Sequence, residues 1–198
     1  MYTLEIYFIN ISTVTGGGYM TQANIPMEQG LLQKVTDIPS KILLHHEVQN
    51  LPQILLHYLG HEDCFGLKHA AYFVDNPDFD HLIGVAGYSN QDHCSKAAED
   101  LWKDPNSFHE AITNLDFNKK VRSYFQDSLK RKNSADHDSV LVHKIAKDIG
   151  IENPQMFSWN VKHGNHGLFI FEPKSELSDF SKSLLKNSAM LLGFCAII

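Results

Sequence analysis

With 198 residues, 43% hydrophobic and 20% charged, the chain has the composition of a globular protein and the length of one large domain; residues 1–198 are expected to fold as a single unit with a core that needs no covalent staples. Its net charge of −6 argues against a dedicated nucleic-acid binder. Three widely spaced cysteines, Cys64, Cys94 and Cys195, form no C-x-x-C pair, which argues against a disulfide framework and points to a reducing, cytoplasmic compartment.

The N-terminus carries no basic region ahead of its apolar residues, and Glu5 interrupts them, so it does not read as a signal peptide. Residues 2–13 alternate as a β-strand, with Leu4, Ile6 and Phe8 against Ile9 and Ile11, and Gly16-Gly17-Gly18 ends it. That glycine run sits in neither a G-x-G-x-x-G nor a G-K-[ST] pattern and reads as a turn rather than a phosphate loop. A short helix is expected from Pro26 to Val35. Ser40 is placed to cap a helix over 41–49, and Asn50 another over 51–59. Pro52 fits the first turn of the latter and Gly60 its stop, with Leu51, Ile54, Leu55 and Tyr58 as the apolar stripe.

His69–Val74 and Leu82–Tyr88 read as a hairpin whose strands are apolar or small on both faces, hence central in a sheet. Helical patterns follow over 93–103, 106–132 and 139–149, with Pro105 as a break and Gly150 as a stop. Phe157, Trp159 and Val161 lead to His163, then Gly164-Asn165, then His166, Leu168 and Ile170. This reads as a second hairpin closed by a two-residue turn, with His163 opposite His166. Its apolar content suits core sheet better than the exposed wing of a winged helix. A last helix is expected over 175–193, with Leu177, Phe180, Leu184 and Leu191 as core contacts. The order predicts an α+β fold: an antiparallel sheet of about five strands, the N-terminal strand plus two hairpins, with helices packed on it. The longest apolar run, Ala189–Ile198, is about half of the ~20 residues a membrane span needs and reads as core.

Twelve histidines draw attention to metal chemistry. His57 and His61 are four apart, so they share a helix face if the helix runs through Gly60. Two imidazoles there could chelate a divalent metal such as zinc, with Glu62, Asp63, Cys64 or His46 as a further ligand and a position left for water. His57, His61, Glu62 and His46 are the ligand set we favour. Cys94, in the first turn of a helix after Ser89-Asn90-Gln91-Asp92-His93, is a candidate thiolate nucleophile; as adjacent residues, His93 and Cys94 do not face each other, and Asn90 or Asp92 as a helix cap is the simpler reading. The stretch 119–132 carries six cations against Asp127, with Tyr124 and Phe125 among them, a pattern suited to nucleic acid or an anionic surface. Packing of the aromatics and solvation of the lysines explain it as well.

No strong catalytic motif is present. The expected function is therefore a non-enzymatic interaction or regulatory protein with a protein partner or a self-association surface. A histidine-ligated metal protein, in its enzymatic form a metal-dependent hydrolase, comes next, and an anionic-surface binder through 119–132 third.

Overall fold

The structure, a computed structural model, describes residues 25–92, 100–129 and 138–195. Strands β1 (Leu67–Asn76) and β2 (His81–Ser89) form the first expected hairpin, extended by a few residues. Its turn is built locally. The Asn76 side-chain oxygen accepts from the backbone N–H groups of Asp78 and Phe79, and Asp80 takes a left-handed φ of 54°, which Asp tolerates better than most residues. Strand β3 is only Phe125–Gln126; β4 (Gln155–Asn160) and β5 (His166–Pro173) form the second hairpin. The sheet order is β3-β2-β1-β5-β4, and every neighbouring pair is antiparallel. The α+β fold is thus the one expected. The N-terminal strand assigned to 2–13 lies outside the described residues, and the fifth strand of this sheet is β3.

Alternation along β1 and β5 feeds two cores. Ala70, Tyr72, Val74, Phe169 and Phe171 face one way. They meet α1 (Ile25–Thr36), α2 (Ile38–Leu44), α3 (Leu51–Gly60), α4 (Asp100–Lys103), α5 (Pro105–Thr113) and α8 (Asp179–Met190). Ala71, Phe73, Leu168 and Ile170 face the other way, against Val121 of α6 (Asp116–Arg122) and Val142, Ile145, Ala146 and Ile149 of α7 (Asp138–Ile149). The sheet is the middle of three layers, and this is why its central strands read as apolar on both faces. Helix α3 lies deepest: all ten of its residues are buried.

Four local expectations are corrected. The helical pattern over 106–132 is broken into α5, α6 and β3. Leu115 is extended (φ −63°, ψ 137°), and the Tyr124 carbonyl accepts from the N–H of Gly84, so the edge of β2 captures a segment whose apolar spacing alone looks helical. Helix α2 begins at Ile38 and ends at Leu44, with Pro39 in its first turn, so Ser40 lies inside it rather than capping it. In α8, Ser178 caps the first turn by accepting from the N–H of Ser181; Leu185 and Ala189 are buried while Phe180 is exposed, a rotation of about one residue from the expected stripe. The second hairpin turn spans 161–165 rather than two residues, because Asn160 pairs with His166 and a 3-10 turn occupies 162–164. His163 and His166 are therefore not cross-strand neighbours.

On the second face a buried carboxylate ties three segments together. Glu172 of β5 is 3% exposed. It accepts from Lys68 Nζ at 3.0 Å, from His69 Nδ1 at 3.3 Å, from Asn153 Nδ2 at 3.3 Å and from the N–H of Glu152 at 3.4 Å. Burial pushes its carboxyl up, but these donors outweigh burial and hold it below the ordinary 4.5.

Helix α6 sits on β2 with almost nothing between them. A Cβ on Gly84 would collide with the carbonyl oxygen of Val121, and one on Gly87 would lie 3.1 Å from the Cα of Asn118. Because the obstacle at Gly84 is backbone, we predict that Gly84→Ala destabilises the protein by about 3 kcal/mol, read as a lower urea midpoint at unchanged slope. A variant as stable as the parent would mean that α6 is not seated this way.

Candidate functional site

The last turn of α3 carries His57 against β2, buried to 3% exposure. Burial, first of all, drives its pKa down from 6.5 to about 4. The carbonyl of Gly87 favours the protonated ring and pulls the other way, and the nearby His61 adds a smaller lowering. Nε2 has no hydrogen-bond partner among the described residues, so the bond to Gly87 is donated by Nδ1–H. His57 is a neutral ring with a fixed tautomer and an unused lone pair. The Tyr88 ring stands edge-on to it, centroids 5.0 Å apart. A side chain at residue 60 would strike that ring, so Gly60 both ends α3 and makes room for Tyr88.

The chain leaves the helix at His61, which is extended (φ −59°, ψ 151°) although its N–H still donates to the His57 carbonyl at 3.0 Å. The two histidines are neighbours across a helix end, not two positions on a continuing helical face. His61 Nδ1 lies 3.2 Å from the N–H of Asp63, from which it accepts, and 3.3 Å from that residue's carboxylate. Glu62 pairs with Lys174, and that hydrogen bond lowers its carboxyl pKa.

These residues border a cavity of about 140 Å³. Its inner wall is His57, Tyr88, Leu101, Asn90 and Asp92; its rim is His61 and the Glu62–Lys174 pair. Asn90 is fixed at the end of β2 by its N–H, which donates to the Lys68 carbonyl at 3.0 Å. Its Oδ1 is buried without a partner among the described residues. Two buried acceptors from different elements, His57 Nε2 and Asn90 Oδ1, thus lack a donor among the described residues, and both residues border one cavity together with Asp92.

Of the four expected metal ligands, His57, His61 and Glu62 line this cavity. His46 does not. It is exposed after α2, its Nδ1–H donating to the Leu43 carbonyl at 2.9 Å and its Nε2 lying 3.7 Å from Glu47. Among the described residues no three His, Cys, Asp or Glu side chains are grouped to hold a metal ion. Asn90 and Asp92 appear in the sequence only as candidate helix caps; the signal for a site is that they directly follow a buried central strand, where loops gain positioned polar groups. His93 and Cys94 lie outside the described residues. Cys64 and Cys195 are free thiols, each pushed up to about 12 chiefly by burial, and neither is poised as a nucleophile.

The basic stretch divides as well. Lys119, Lys120 and Arg122 lie on α6, and 130–132 are outside the described residues. Phe125 is exposed and continues a row with His81 and Phe79, centroids 5.9 and 6.1 Å apart. Asp78, Asp80 and Asp127 flank that row in sequence, an unfavourable setting for phosphates. The chain matches none of the protein-family models, curated proteins or solved structures with which it was compared.

The buried imidazole makes stability depend on pH. Its folded pKa lies below its unfolded one, so its contribution is complete above pH 6.5 and is lost as pH falls from 6.5 towards 4. The full loss is about 3 kcal/mol. We predict that His57→Gln, unfolded in urea at several pH values, loses that slope while keeping the decline below pH 4.5 from carboxylates such as Glu172. Parallel pH profiles for variant and parent would show that His57 is not buried neutral.

Proposed function

We propose that this chain is a non-enzymatic regulatory or interaction domain that acts by binding a small ligand in the cavity between α3 and the end of β2. The observation that carries the reading is a cavity bordered by His57 and Asn90, each of which has a buried acceptor without a donor among the described residues. A buried acceptor left unpaired costs about 1–3 kcal/mol, and a ligand donor recovers it. Binding is favoured over catalysis because an imidazole with a pKa of about 4 is a weak base at neutral pH, and the two described thiols stay protonated. A ligand that touches α3 and the residues after β2 at once would hold them together, which is the means by which binding could alter a surface offered to a protein partner or a second copy. Two free, separate thiols among the described residues support a reducing, cytoplasmic setting, and none of the described helices is long and apolar enough to cross a membrane.

The test is a thermal-shift screen of small polar metabolites on the full chain. At least one compound should raise the melting temperature saturably, as expected when a ligand binds only the folded state, and His57→Gln and Asn90→Leu should lose that shift. A screen with no saturable stabiliser would remove the reading.

One observation favours a second reading, a divalent metal ion such as zinc. His57 is held by Nδ1–H on a backbone carbonyl with Nε2 unpartnered among the described residues, the arrangement in which metal-binding histidines are usually oriented. His61 and Glu62 line the same cavity, and a metal there with an open position could serve a hydrolase. Elemental analysis of tag-free protein purified without chelators decides it. Near-stoichiometric metal that disappears in His57→Gln supports it; folded, metal-free protein excludes it.

A further inference from the structure

We infer that the outer edge of β4 is a self-association surface, on which a second copy of this chain pairs antiparallel through its own β4. The inference goes beyond the small-ligand reading and does not depend on the cavity.

Among the described residues β4 pairs only with β5, and it ends the sheet. Its register shows which peptide groups are left over. The Val161 N–H donates to the Asn165 carbonyl at 2.8 Å, in line with the pairing of Asn160 with His166. Backbone groups alternate along an antiparallel strand, so those of Phe157 and Trp159 point to β5, and those of Met156, Ser158 and Asn160 point outward. Ser158 and Asn160 are exposed and Met156 is half-buried. Edge strands are commonly protected from other chains by a charge, a proline or a bulge. The six residues of β4, QMFSWN, include no charged residue and no proline, and their pairing with β5 runs without a register shift. Such an edge is a template for a further strand.

The charges around the edge favour a second copy as the occupant. In a two-fold pair the edge meets itself, so a charge on it would face its own kind; β4 has none. Charges stand just beyond its two ends instead. Glu152 precedes the strand, its side chain 80% exposed and 3.8 Å from Lys68, and the exposed Lys162 follows it. Antiparallel pairing brings the Lys162 end of one copy to the Glu152 end of the other, whereas parallel pairing would set like beside like. One register uses all three outward residues. It places Ser158 opposite Ser158 of the second copy and Met156 opposite its Asn160, so that every outward N–H finds a carbonyl. The same register sets Phe157 against Trp159 of the second copy, an aromatic cross-strand pair formed twice. Both side chains are only partly buried against the first core. Phe194, 72% exposed, follows Gly193, which lies against Trp159, and extends the apolar surface at that end.

The experiment is size-exclusion chromatography with light scattering on the full chain over a range of micromolar concentrations. A dimer in reversible equilibrium with monomer is expected. Ser158→Lys would set two ammonium groups opposite each other and should raise the dissociation constant about tenfold or more, with an unchanged circular dichroism spectrum. Oxidative cross-linking reads the register, since hydrogen-bonded antiparallel pairs have Cα atoms ~5.5 Å apart, within disulfide reach. Ser158→Cys alone should give a covalent dimer above the background that the native cysteines set in the parent chain. Met156→Cys and Asn160→Cys should each fail alone and cross-link when mixed. A dimer indifferent to Ser158→Lys and without these cross-links would lie on another face and overturn the inference. A monomer at every concentration would overturn it as well. Amide exchange at Met156, Ser158 and Asn160 would then identify the occupant: slow exchange in the monomer assigns the edge to another segment of the same chain, and fast exchange leaves it bare. Neither result touches the cavity reading, which the thermal-shift screen decides.

Discussion

Gly87 is the point at which the two helical layers meet. Strand β3 pairs only with residues 82 and 83 of β2, so beyond it the outer edge of β2 would present unpaired peptide groups. At Gly87 both groups are satisfied by side chains. The N–H donates to Asn118 Oδ1 of α6 at 2.9 Å, and the carbonyl accepts from His57 of α3. Asn118 is fully buried and His57 nearly so. One residue thus joins a helix on each face of the sheet, and the absence of side chains at 84 and 87 lets α6 come close enough to do so. A bulkier strand would push α6 away and leave the Gly87 N–H without a partner, at about 1–3 kcal/mol.

The same contact determines what His57 can be. An imidazole whose Nδ1–H is committed to a carbonyl has its lone pair on Nε2, and burial removes the competing proton. A glutamine or asparagine could donate to Gly87 but would not offer a rigid aromatic acceptor in line with that bond. The edge repair of the sheet and the buried, unpartnered acceptor are two ends of one ring. Gly60 extends the arrangement, because Tyr88 can lie against the end of α3 only where no Cβ intervenes. The Oδ1 of Asn90, unpartnered among the described residues, is a second place where local polar satisfaction is given up, and the surrounding core makes up the difference.

Much of this architecture was legible in the sequence because the relevant signals are local. The β1–β2 hairpin announces itself by strands apolar on both faces, β4–β5 by apolar residues alternating around a glycine turn, and α3 by Pro52 and Gly60, although Asn50 makes no side-chain cap. The pairing of His57 with His61 was legible as a spacing, although the helix ends between them. What was not legible depends on partners distant in sequence. Val121, Tyr124, Phe125 and Leu129 have helical spacing, yet β2 takes up Phe125–Gln126 as a strand because its edge amides need acceptors. Gly164-Asn165 looks like a two-residue turn, but Trp159 packs directly over Gly167, where a Cβ would not fit, and the strands close at Asn160 and His166. His46 was grouped with His57 on composition alone, and the chain between them carries it to the surface. Asn90 and Asp92 resemble helix caps in sequence; only the fold brings them to His57.

The position of the cavity between α3 and the end of β2 also bears on how occupancy and folding are linked. A donor that binds Nε2 withdraws electron density from the imidazole and makes Nδ1–H a stronger donor to the Gly87 carbonyl. That carbonyl, polarised further, makes its own peptide a better partner for its neighbours, as in any chain of hydrogen bonds. On the small-ligand reading, a donor that reached Nε2 would strengthen the bond that closes the open edge of β2. Protonation of His57 does the reverse to the ligand, since it removes the lone pair while leaving the bond to Gly87 in place. Because the folded ring takes up its proton only near pH 4 while the unfolded one does so near 6.5, acid weakens the fold from pH 6.5 downward, before it removes the lone pair of the folded ring.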